Sequence, residues 1–164
     1  MLGETWFPAY IGLGSNLDEP RGQVETAMAS LATIADTSLV MASPLYGSAP
    51  MGPVEQPDYV NAVAAVLTRS GPQALMRALL AIEEAQGRVR GQRKWGPRRI
   101  DLDLLLHGDN VCDGETLSLP HPGLCERCFV LRPLADLAPA LRIPDGRQVA
   151  QLLNTVDCSR LWPL

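Results

Sequence analysis

The segment from position 100 to position 106 limits the possible folds more than any other part of the chain. Aliphatic side chains occupy its even positions, while Asp101 and Asp103 stand between them. Because side chains alternate between the two faces of a β-strand, this pattern predicts a strand with one apolar face and two carboxylates on the other. Cα atoms two residues apart on a strand are about 6.5–7 Å apart, so both carboxylates can reach one divalent cation or hold a pair. Without a cation, each negative charge would raise the pKa of the other carboxyl.

A simpler interpretation of the two acids is an edge strand whose polar face is only solvated. The preceding segment argues against it, although the chain as a whole carries a net charge of −4. Guanidinium groups beside cation-binding carboxylates are typical of sites for polyphosphates. Six of the fourteen basic residues lie within this short stretch: Arg88, Arg90, Arg93, Lys94, Arg98 and Arg99.

Length and composition favour one globular domain that spans residues 1–164. Hydrophobic residues make up 46% of the chain and charged residues 20%, which argues against disorder. The acidic net charge argues against nucleic acids and anionic membranes as partners. No apolar run is long enough for a membrane span, and the first residues lack the positive charge of a signal peptide. We therefore expect a cytoplasmic location.

The order of predicted elements indicates an α+β fold. Strands are predicted at 9–13, 37–43, 59–67 and 100–106, with one helix after Asp18, its expected N-cap, and another from Pro72 to Gly87. This βαββαβ order predicts a ferredoxin-like α/β sandwich with an antiparallel sheet and helices on one face. The first and fourth strands are expected to pair as central neighbours, which leaves the opposite face for ligands. Residues 44–57, rich in proline, are interpreted as a stiff loop.

Two features of the later part of the chain also lead to predictions. Residues 124–134 are expected to be partly helical, and residues 149–153 fully so. Cys125 and Cys128 have C-x-x-C spacing, but no second such pair completes a zinc ribbon. We expect all four cysteines to be ordinary reduced thiols.

Five blocks of the sequence resemble the 6-hydroxymethyl-7,8-dihydropterin pyrophosphokinases. They comprise residues 9–16, 56–61, 87–90, 95–103 and 120–129, so the resemblance covers nearly the whole chain. The most specific block is Trp95-Gly96-Pro97-Arg98-Arg99-Ile100-Asp101-Leu102-Asp103, in front of which Lys94 replaces the arginine of the family pattern.

The resemblance implies transfer of diphosphate from ATP to the hydroxymethyl group of 6-hydroxymethyl-7,8-dihydropterin, with release of AMP, in folate biosynthesis. It implies that Asp101 and Asp103 hold two Mg²⁺ ions, while Arg88 and Arg98 serve the transfer. The pterin-binding residues that it implies are Ser48, Met51, Tyr59, Asn61 and Phe129. The implied nucleotide-binding residues are Glu83, Trp95, Arg98, Ser118, His121 and Arg127. The only expected partners are the two small-molecule substrates, and the expected state is a monomer.

Several positions depart from the pattern of the better-known bacterial members. These departures bear on nucleotide contacts and on the pterin loop rather than on the reaction. The residues are Ala49, Leu80, Gly91, Thr116 and Pro122.

Two other functions also remain open at this point. A nucleotidyltransferase would release diphosphate and needs a third carboxylate on a neighbouring strand, whereas a non-catalytic binding module would not turn over ATP. The segment from Gly87 to Pro97 is expected to move on ligand binding.

Overall fold

The computed structural model describes residues 5–89 and 96–164. The described chain forms eight strands and four helices. In chain order they are β1 (Phe7–Ser15), α1 (Pro20–Leu31), β2 (Thr37–Ala42), β3 (Tyr46–Ser48), β4 (Tyr59–Thr68), α2 (Pro72–Ala85), β5 (Asp101–His107), β6 (Cys112–Asp113), β7 (Ser118–Leu119), α3 (Cys128–Leu137), α4 (Val149–Leu153) and β8 (Leu161–Pro163).

The main sheet is antiparallel and has the strand order β5-β1-β4-β3-β8, with β2 also paired to β4. The predicted βαββαβ core is therefore confirmed as an α+β, ferredoxin-like arrangement. The predicted pairing of the first strand with the strand that carries Asp101 and Asp103 is also confirmed. The prediction that both are central was wrong, because β5 lies at the edge of the sheet while β1 and β4 lie inside it.

The two core helices α1 and α2 pack on one face of this sheet, as predicted. Their buried side chains share one hydrophobic cluster with alternate residues of β1, β4 and β5. Ile100, Leu102 and Leu104 belong to this cluster, so the predicted apolar face of β5 is confirmed over its first half. Burial of that stripe fixes the register of β5, because a slip of one residue would turn the two acids into the core.

The other face of the sheet is partly covered by α3 and α4. Leu105 and Leu106 pack in a second cluster with the apolar residues of these helices. The pairing of β1 with β5 shifts between Tyr10 and Ile11, which is a β-bulge. Such a bulge changes which side chains face each side, so the alternation predicted up to Leu106 ends at Leu104.

Two local predictions between residues 18 and 57 were wrong. Asp18 does not cap α1; Glu19 is the N-cap residue, and both have positive φ angles. Instead, the Asp18 carbonyl accepts a hydrogen bond from the Gln23 side chain, and the Asp18 carboxylate forms an ion pair with Arg99. The segment from 44 to 57 is not a plain loop, because it contains β3, which pairs with both β4 and β8.

The cysteines also differ from the expectation of four reduced thiols. Cys128 and Cys158 form a disulfide with a Cα–Cα distance of 5.3 Å, whereas Cys112 and Cys125 are free. The sequence could not show this pairing, because the two residues lie 30 positions apart and meet only when the chain after α4 returns to α3. Within residues 5–89 and 96–164, no helix is both long and apolar enough to cross a bilayer.

Candidate active site

The floor of the candidate site consists of three neighbouring strands whose residues lie in register. Gly14 of β1 pairs with Asn61 of β4 on one side and with Asp101 of β5 on the other. Two residues away, Gly12 lies opposite Asp103. A Cβ atom at Gly14 would stand 3.3 Å from Asn61 Oδ1, so a side chain there would crowd the site. The glycines of β1 therefore leave open the space between the acids and the polar end of β4.

This floor opens into a cavity of about 440 Å³. Twelve of the fourteen residues predicted for the site line this cavity, although they come from widely separated parts of the chain. They are Ser48, Met51, Tyr59, Asn61, Glu83, Arg88, Arg98, Asp101, Asp103, His121, Arg127 and Phe129. Of the other two, Ser118 is absent from the lining and lies in β7, and Trp95 is outside the described residues.

One end of the cavity is formed by neutral side chains held by strands. Asn61 is 4% exposed, and its Nδ2 donates a hydrogen bond of 2.7 Å to Ser48 Oγ. Tyr59 stands opposite Ser48 in the pairing of β3 with β4, and its hydroxyl donates to Gly96 O at 3.4 Å. Burial raises the pKa of Tyr59, so the hydroxyl stays protonated at neutral pH. The departure at Ala49 also lies in this wall.

Phe129 and Arg127 stand at the start of α3, on another side of the cavity. The Arg127 guanidinium carbon lies 5.8 Å from the centre of the Phe129 ring, a cation–π contact. The pair presents an aromatic ring and a positive charge to the same space. The sequence predicted both residues for the site. Only the fold brings them near the start of β4, where Tyr59 lies.

The charged end of the cavity is built around Asp101. Arg88 Nη1 donates to Asp101 Oδ1 at 2.8 Å, and Arg98 Nη1 lies 3.6 Å from the same oxygen. Arg88 also donates to Glu83 Oε2, which accepts a second hydrogen bond, 2.8 Å long, from the backbone N–H of Leu102. Glu83 is 2% exposed, and this burial raises its pKa, while the bonds from Leu102 and Arg88 act in the opposite direction. Glu83, near the C-terminal end of α2, therefore has Arg88 as its cationic neighbour.

Asp103 has the most perturbed carboxyl group of the site. Burial, followed by the negative charge of Asp101, raises its pKa from 3.8 to about 7. His121 Nε2 lies 3.7 Å from Asp103 Oδ1. The Gly123 N–H donates to His121 Nδ1, so the neutral ring carries its proton on Nε2, toward Asp103. Burial and the nearby Arg127 lower the pKa of His121, which favours this neutral form.

Asn16 lies outside the cavity lining but supports it, a role that the sequence did not reveal. It is 2% exposed, and its Oδ1 accepts a 2.8 Å hydrogen bond from the backbone N–H of Arg98. Its Nδ2 donates to Gln56 Oε1 at 2.9 Å and to Pro57 O at 3.0 Å. Its own N–H donates to Arg98 O at 3.0 Å. Asn16 thus joins the segment that carries Arg98 to the segment that leads into Tyr59. In the sequence it ends the first block of the family resemblance, residues 9–16, and the resemblance assigned it no role.

The geometry does not favour the nucleotidyltransferase alternative. That class needs a third carboxylate on a strand next to the two acids. Among the described strands, β1 is the sheet neighbour of β5, and it places Gly12 and Gly14 opposite Asp103 and Asp101. The remaining acid of the cavity, Glu83, comes from α2 and is engaged by Arg88.

Comparison with known protein families agrees with this geometry. The model of the 7,8-dihydro-6-hydroxymethylpterin-pyrophosphokinase (HPPK) family matches residues 10–139. The chain belongs to the HPPK family. Its reaction is therefore the transfer of diphosphate from ATP to the hydroxymethyl group of 6-hydroxymethyl-7,8-dihydropterin in folate biosynthesis, with release of AMP.

Curated relatives support the same assignment. The chain is 53% identical over 144 residues to the 2-amino-4-hydroxy-6-hydroxymethyldihydropteridine pyrophosphokinase of Pseudomonas aeruginosa, with 88% of each chain covered. It is 43% identical over 146 residues to the enzyme of the same name from Haemophilus influenzae, which covers 89% of this chain and 91% of that one.

Solved structures support the fold. A wild-type HPPK-DHPS chain of Plasmodium falciparum superposes with a TM-score of 0.72 at 14% identity. The match covers 94% of this chain and 44% of the Plasmodium chain, so the fold is shared over that part of the Plasmodium protein.

Proposed function

We propose that the twelve residues around the cavity carry out the HPPK reaction in two groups. The acids and arginines at one end bind the triphosphate of ATP, and the neutral wall at the other end binds the pterin. The observation that carries this proposal is the convergence of Arg88 and Arg98 on Asp101 in the same cavity that Tyr59, Asn61 and Phe129 line.

The pterin end provides the chemistry that a flat, polar heterocycle requires. Tyr59 and Phe129 flank the ring, and aromatic contacts of this kind contribute about 1–3 kcal/mol per stacked base in other proteins. Asn61 presents hydrogen-bonding groups to the edge of the ring, and its Nδ2 is oriented by Ser48 Oγ. Ser48 and Met51 complete the pocket. Because Asn61 is buried and pre-oriented, it loses little freedom when the pterin binds.

The acids fit a magnesium site. Magnesium commonly takes one or two carboxylates together with substrate phosphates and water, rather than a complete set of protein ligands. Asp101 and Asp103 supply two carboxylates, and no group of three or more metal-binding side chains occurs in the described part of the chain. Asp103 also has a raised pKa, partly because of Asp101, which is the repulsion that a bound cation relieves. We assign two Mg²⁺ ions to this pair; when bound, they neutralise and orient the triphosphate.

The arginines act on the transferring group. The hydroxymethyl oxygen loses its proton to solvent and forms a bond to the β-phosphorus of ATP. The bond from that phosphorus to the oxygen that bridges the α- and β-phosphorus atoms breaks, and AMP leaves. Arg88 and Arg98 stabilise the charge that develops on the phosphoryl oxygens. Glu83 accepts from Arg88 and so orients its guanidinium. His121 and Arg127 bind the nucleotide beside Asp103, and Trp95 and Ser118 are assigned to the nucleotide from the family resemblance alone.

A ternary complex tests this assignment. A crystal grown with a non-hydrolysable ATP analogue, Mg²⁺ and a pterin should contain cations bound by Asp101 and Asp103, with the ring between Tyr59 and Phe129. Mn²⁺ titration followed by electron paramagnetic resonance should give two bound ions with the analogue present. Cations bound elsewhere, or a pterin ring that does not contact both aromatic residues, would refute the proposal.

We also propose that the enzyme is a cytoplasmic monomer. Its small-molecule substrates can be bound by a cavity that a single chain forms. Sedimentation velocity over a wide concentration range should give one species of about 17.7 kDa. A dimer that persists on dilution would refute the monomer.

A further inference from the structure

The last strand, β8, forms the outer support of the proposed pterin wall. It pairs with β3 in the register Tyr46 to Pro163, Gly47 to Trp162 and Ser48 to Leu161. The Ala49 N–H extends this contact by donating to Arg160 O at 3.2 Å. β3 in turn pairs with β4 at Tyr59 and Asn61. The strand that carries Ser48 is therefore held between the substrate-facing strand and β8.

Side-chain packing reinforces this pairing. Trp162 lies directly over Gly47, where an added Cβ would stand 2.2 Å from the indole Nε1. Only glycine permits so close an approach of the ring to the backbone of β3. If β8 moves away, this indole contact and the backbone bonds between β3 and β8 are lost together, while the pairing of β3 with β4 remains.

The disulfide joins this strand to the opposite wall of the cavity. Cys158 lies three residues before β8, and the Leu161 N–H donates to Cys158 O at 3.2 Å. Its partner, Cys128, is the first residue of α3 and stands between Arg127 and Phe129, both of which line the cavity. The single covalent bond therefore connects the support of Ser48 to the backbone that carries Phe129.

A polar contact closes the same arrangement from the other side. The Tyr46 hydroxyl donates to Asp136 Oδ2, and Arg132 lies 3.1 Å from Asp136 Oδ1. Both charged residues belong to α3. β3, β8 and α3 are thus connected in a ring by backbone pairing, a disulfide and the hydrogen bond of the Tyr46 hydroxyl. The family match ends at residue 139, so Cys158 and β8 lie beyond the part of the chain that it covers.

We propose that the Cys128–Cys158 disulfide is a positioning element of the pterin site, and that its reduction weakens pterin binding without removing catalysis. The proposal rests on the pterin pocket proposed above. With the bond intact, β8 holds β3 against β4, and Phe129 keeps its distance from Tyr59 and Asn61. With the bond reduced, the contacts that hold β8 in the described structure are the short backbone pairing with β3, the flanking hydrogen bonds of Ala49 and Leu164, and the Trp162 contact, so the pocket samples wider arrangements.

The chemical step is an exchange with a dithiol. A thiolate of the reductant attacks one sulfur of the bond, which gives a mixed disulfide and releases one cysteine thiolate. The second thiol of the reductant then displaces the other cysteine. The two electrons come from the dithiol, which leaves as a cyclic disulfide, and each protein thiolate takes up one proton. Cys158 is half-buried whereas Cys128 is buried, so the attack is expected at Cys158.

The experiment compares oxidised and dithiothreitol-treated enzyme. Peptide mapping of enzyme purified without reductant should find Cys128 linked to Cys158 and two free thiols. Reduction should raise the dissociation constant of pterin, measured with an ATP analogue present, by about tenfold, at the lower end of typical coupling between sites. The KM for pterin should rise in parallel, while the dissociation constant of the ATP analogue and kcat should change less than about twofold.

Two variants provide the controls. Cys128→Ser/Cys158→Ser should show the weaker pterin binding under both conditions and no response to the dithiol. Cys112→Ser, which alters a thiol away from the bond, should behave like the wild type and keep the full response. Trp162→Ala should weaken pterin binding in the oxidised enzyme, because it removes the contact over Gly47 while the disulfide remains.

The proposal fails if all four cysteines of the untreated enzyme are free, or if the double variant binds pterin as tightly as the oxidised wild type. It also fails if reduction affects ATP and pterin equally. Failure of the pocket assignment itself would be seen differently, because Tyr59→Ala would then leave pterin binding unchanged whatever the state of the disulfide.

Discussion

The two ends of the cavity are held in place by different forces. The neutral end consists of Ser48, Tyr59 and Asn61, whose backbones are fixed by the pairing of β3 with β4. The charged end consists mainly of Arg88, Arg98 and Asp101, which contact one another through ion pairs. In the function proposed above, the sheet hydrogen bonds persist when a ligand binds, whereas these ion pairs are exchanged for contacts with phosphate and metal. We therefore expect the neutral end to be set before binding and the charged end to be completed by its ligands.

This difference predicts the largest effect at the acids. Asp101→Ala and Asp103→Ala should reduce turnover below detection, because the charged end then loses the carboxylates that hold its cations. The folded state and pterin binding in the absence of nucleotide should be retained. Steady-state assays of AMP release, with circular dichroism for folding, measure both. Asp109→Ala, on an exposed turn after β5, is the matched control and should retain activity.

Arg98→Ala should reduce kcat by about 10³-fold, at the lower end for a catalytic arginine, and should change nucleotide affinity much less. The side chain is expected to act on the transferring group more strongly than on bound ATP. Arg99→Ala is the natural control, because Arg99 pairs with Asp18 outside the cavity lining. Single-turnover kinetics separate the chemical step from product release. Equal losses in the two variants would contradict a specific role for Arg98.

At the neutral end, Tyr59→Ala should raise the pterin dissociation constant by roughly 10- to 100-fold, the equivalent of about 1.4–2.8 kcal/mol of lost stacking. Tyr59→Phe keeps the ring and removes only the long hydroxyl contact with Gly96 O, so binding should stay within a few-fold. Isothermal titration with pterin and an ATP analogue provides the measurement. A similar loss in both variants would mean that the hydroxyl, rather than the ring, carries the interaction.

Asn16 tests whether the two ends are independent. Asn16→Ala leaves the Arg98 N–H without its side-chain acceptor and removes both bonds to the segment before Tyr59. An unpaired buried donor costs about 1–3 kcal/mol, so we expect a roughly tenfold or larger loss in kcat/KM for both substrates. Asn16→Asp retains the acceptor for Arg98 but loses the two donated bonds, and it should affect pterin more than ATP. If Asn16→Ala lowered kcat/KM for pterin more than for ATP, Asn16 would not couple the two ends.

The smallest expected effect concerns stability. The raised pKa of Asp103 means that the folded, metal-free protein binds a proton more tightly than the unfolded chain, so stability falls as pH rises from 3.8 toward about 7. Asp103→Asn removes this dependence. Without Mg²⁺ the variant should therefore have a higher Tm than the wild type at pH 8 and a similar Tm near pH 4. The Asp103 side chain is 34% exposed, so solvent will reduce the difference. Thermal scans at the two pH values measure the Tm of both proteins. An equal change in Tm between pH 4 and pH 8 in the wild type and in Asp103→Asn would contradict this prediction.

The sequence by itself determined the order of the core elements, the strand with two acids and the family. These features depend on local spacing: the period of two in β5, the helical stripes of α1 and α2, and the contiguous motif blocks. Twelve of the predicted site residues line one cavity, and the roles assigned to them remain predictions. The mobility predicted for residues 87–97 remains a prediction, because residues 90–95 lie outside the described structure.

Only the tertiary structure decided what depends on contacts between distant residues. The edge position of β5, the bulge that moves Leu106 to the second cluster, the pairing of β3 with β8 and the Cys128–Cys158 bond all join segments far apart in the chain. The same is true of Asn16, whose amide meets residues 40 to 82 positions away. Spacing in a sequence shows which face of an element a side chain occupies. It does not show which other element will pack against that face.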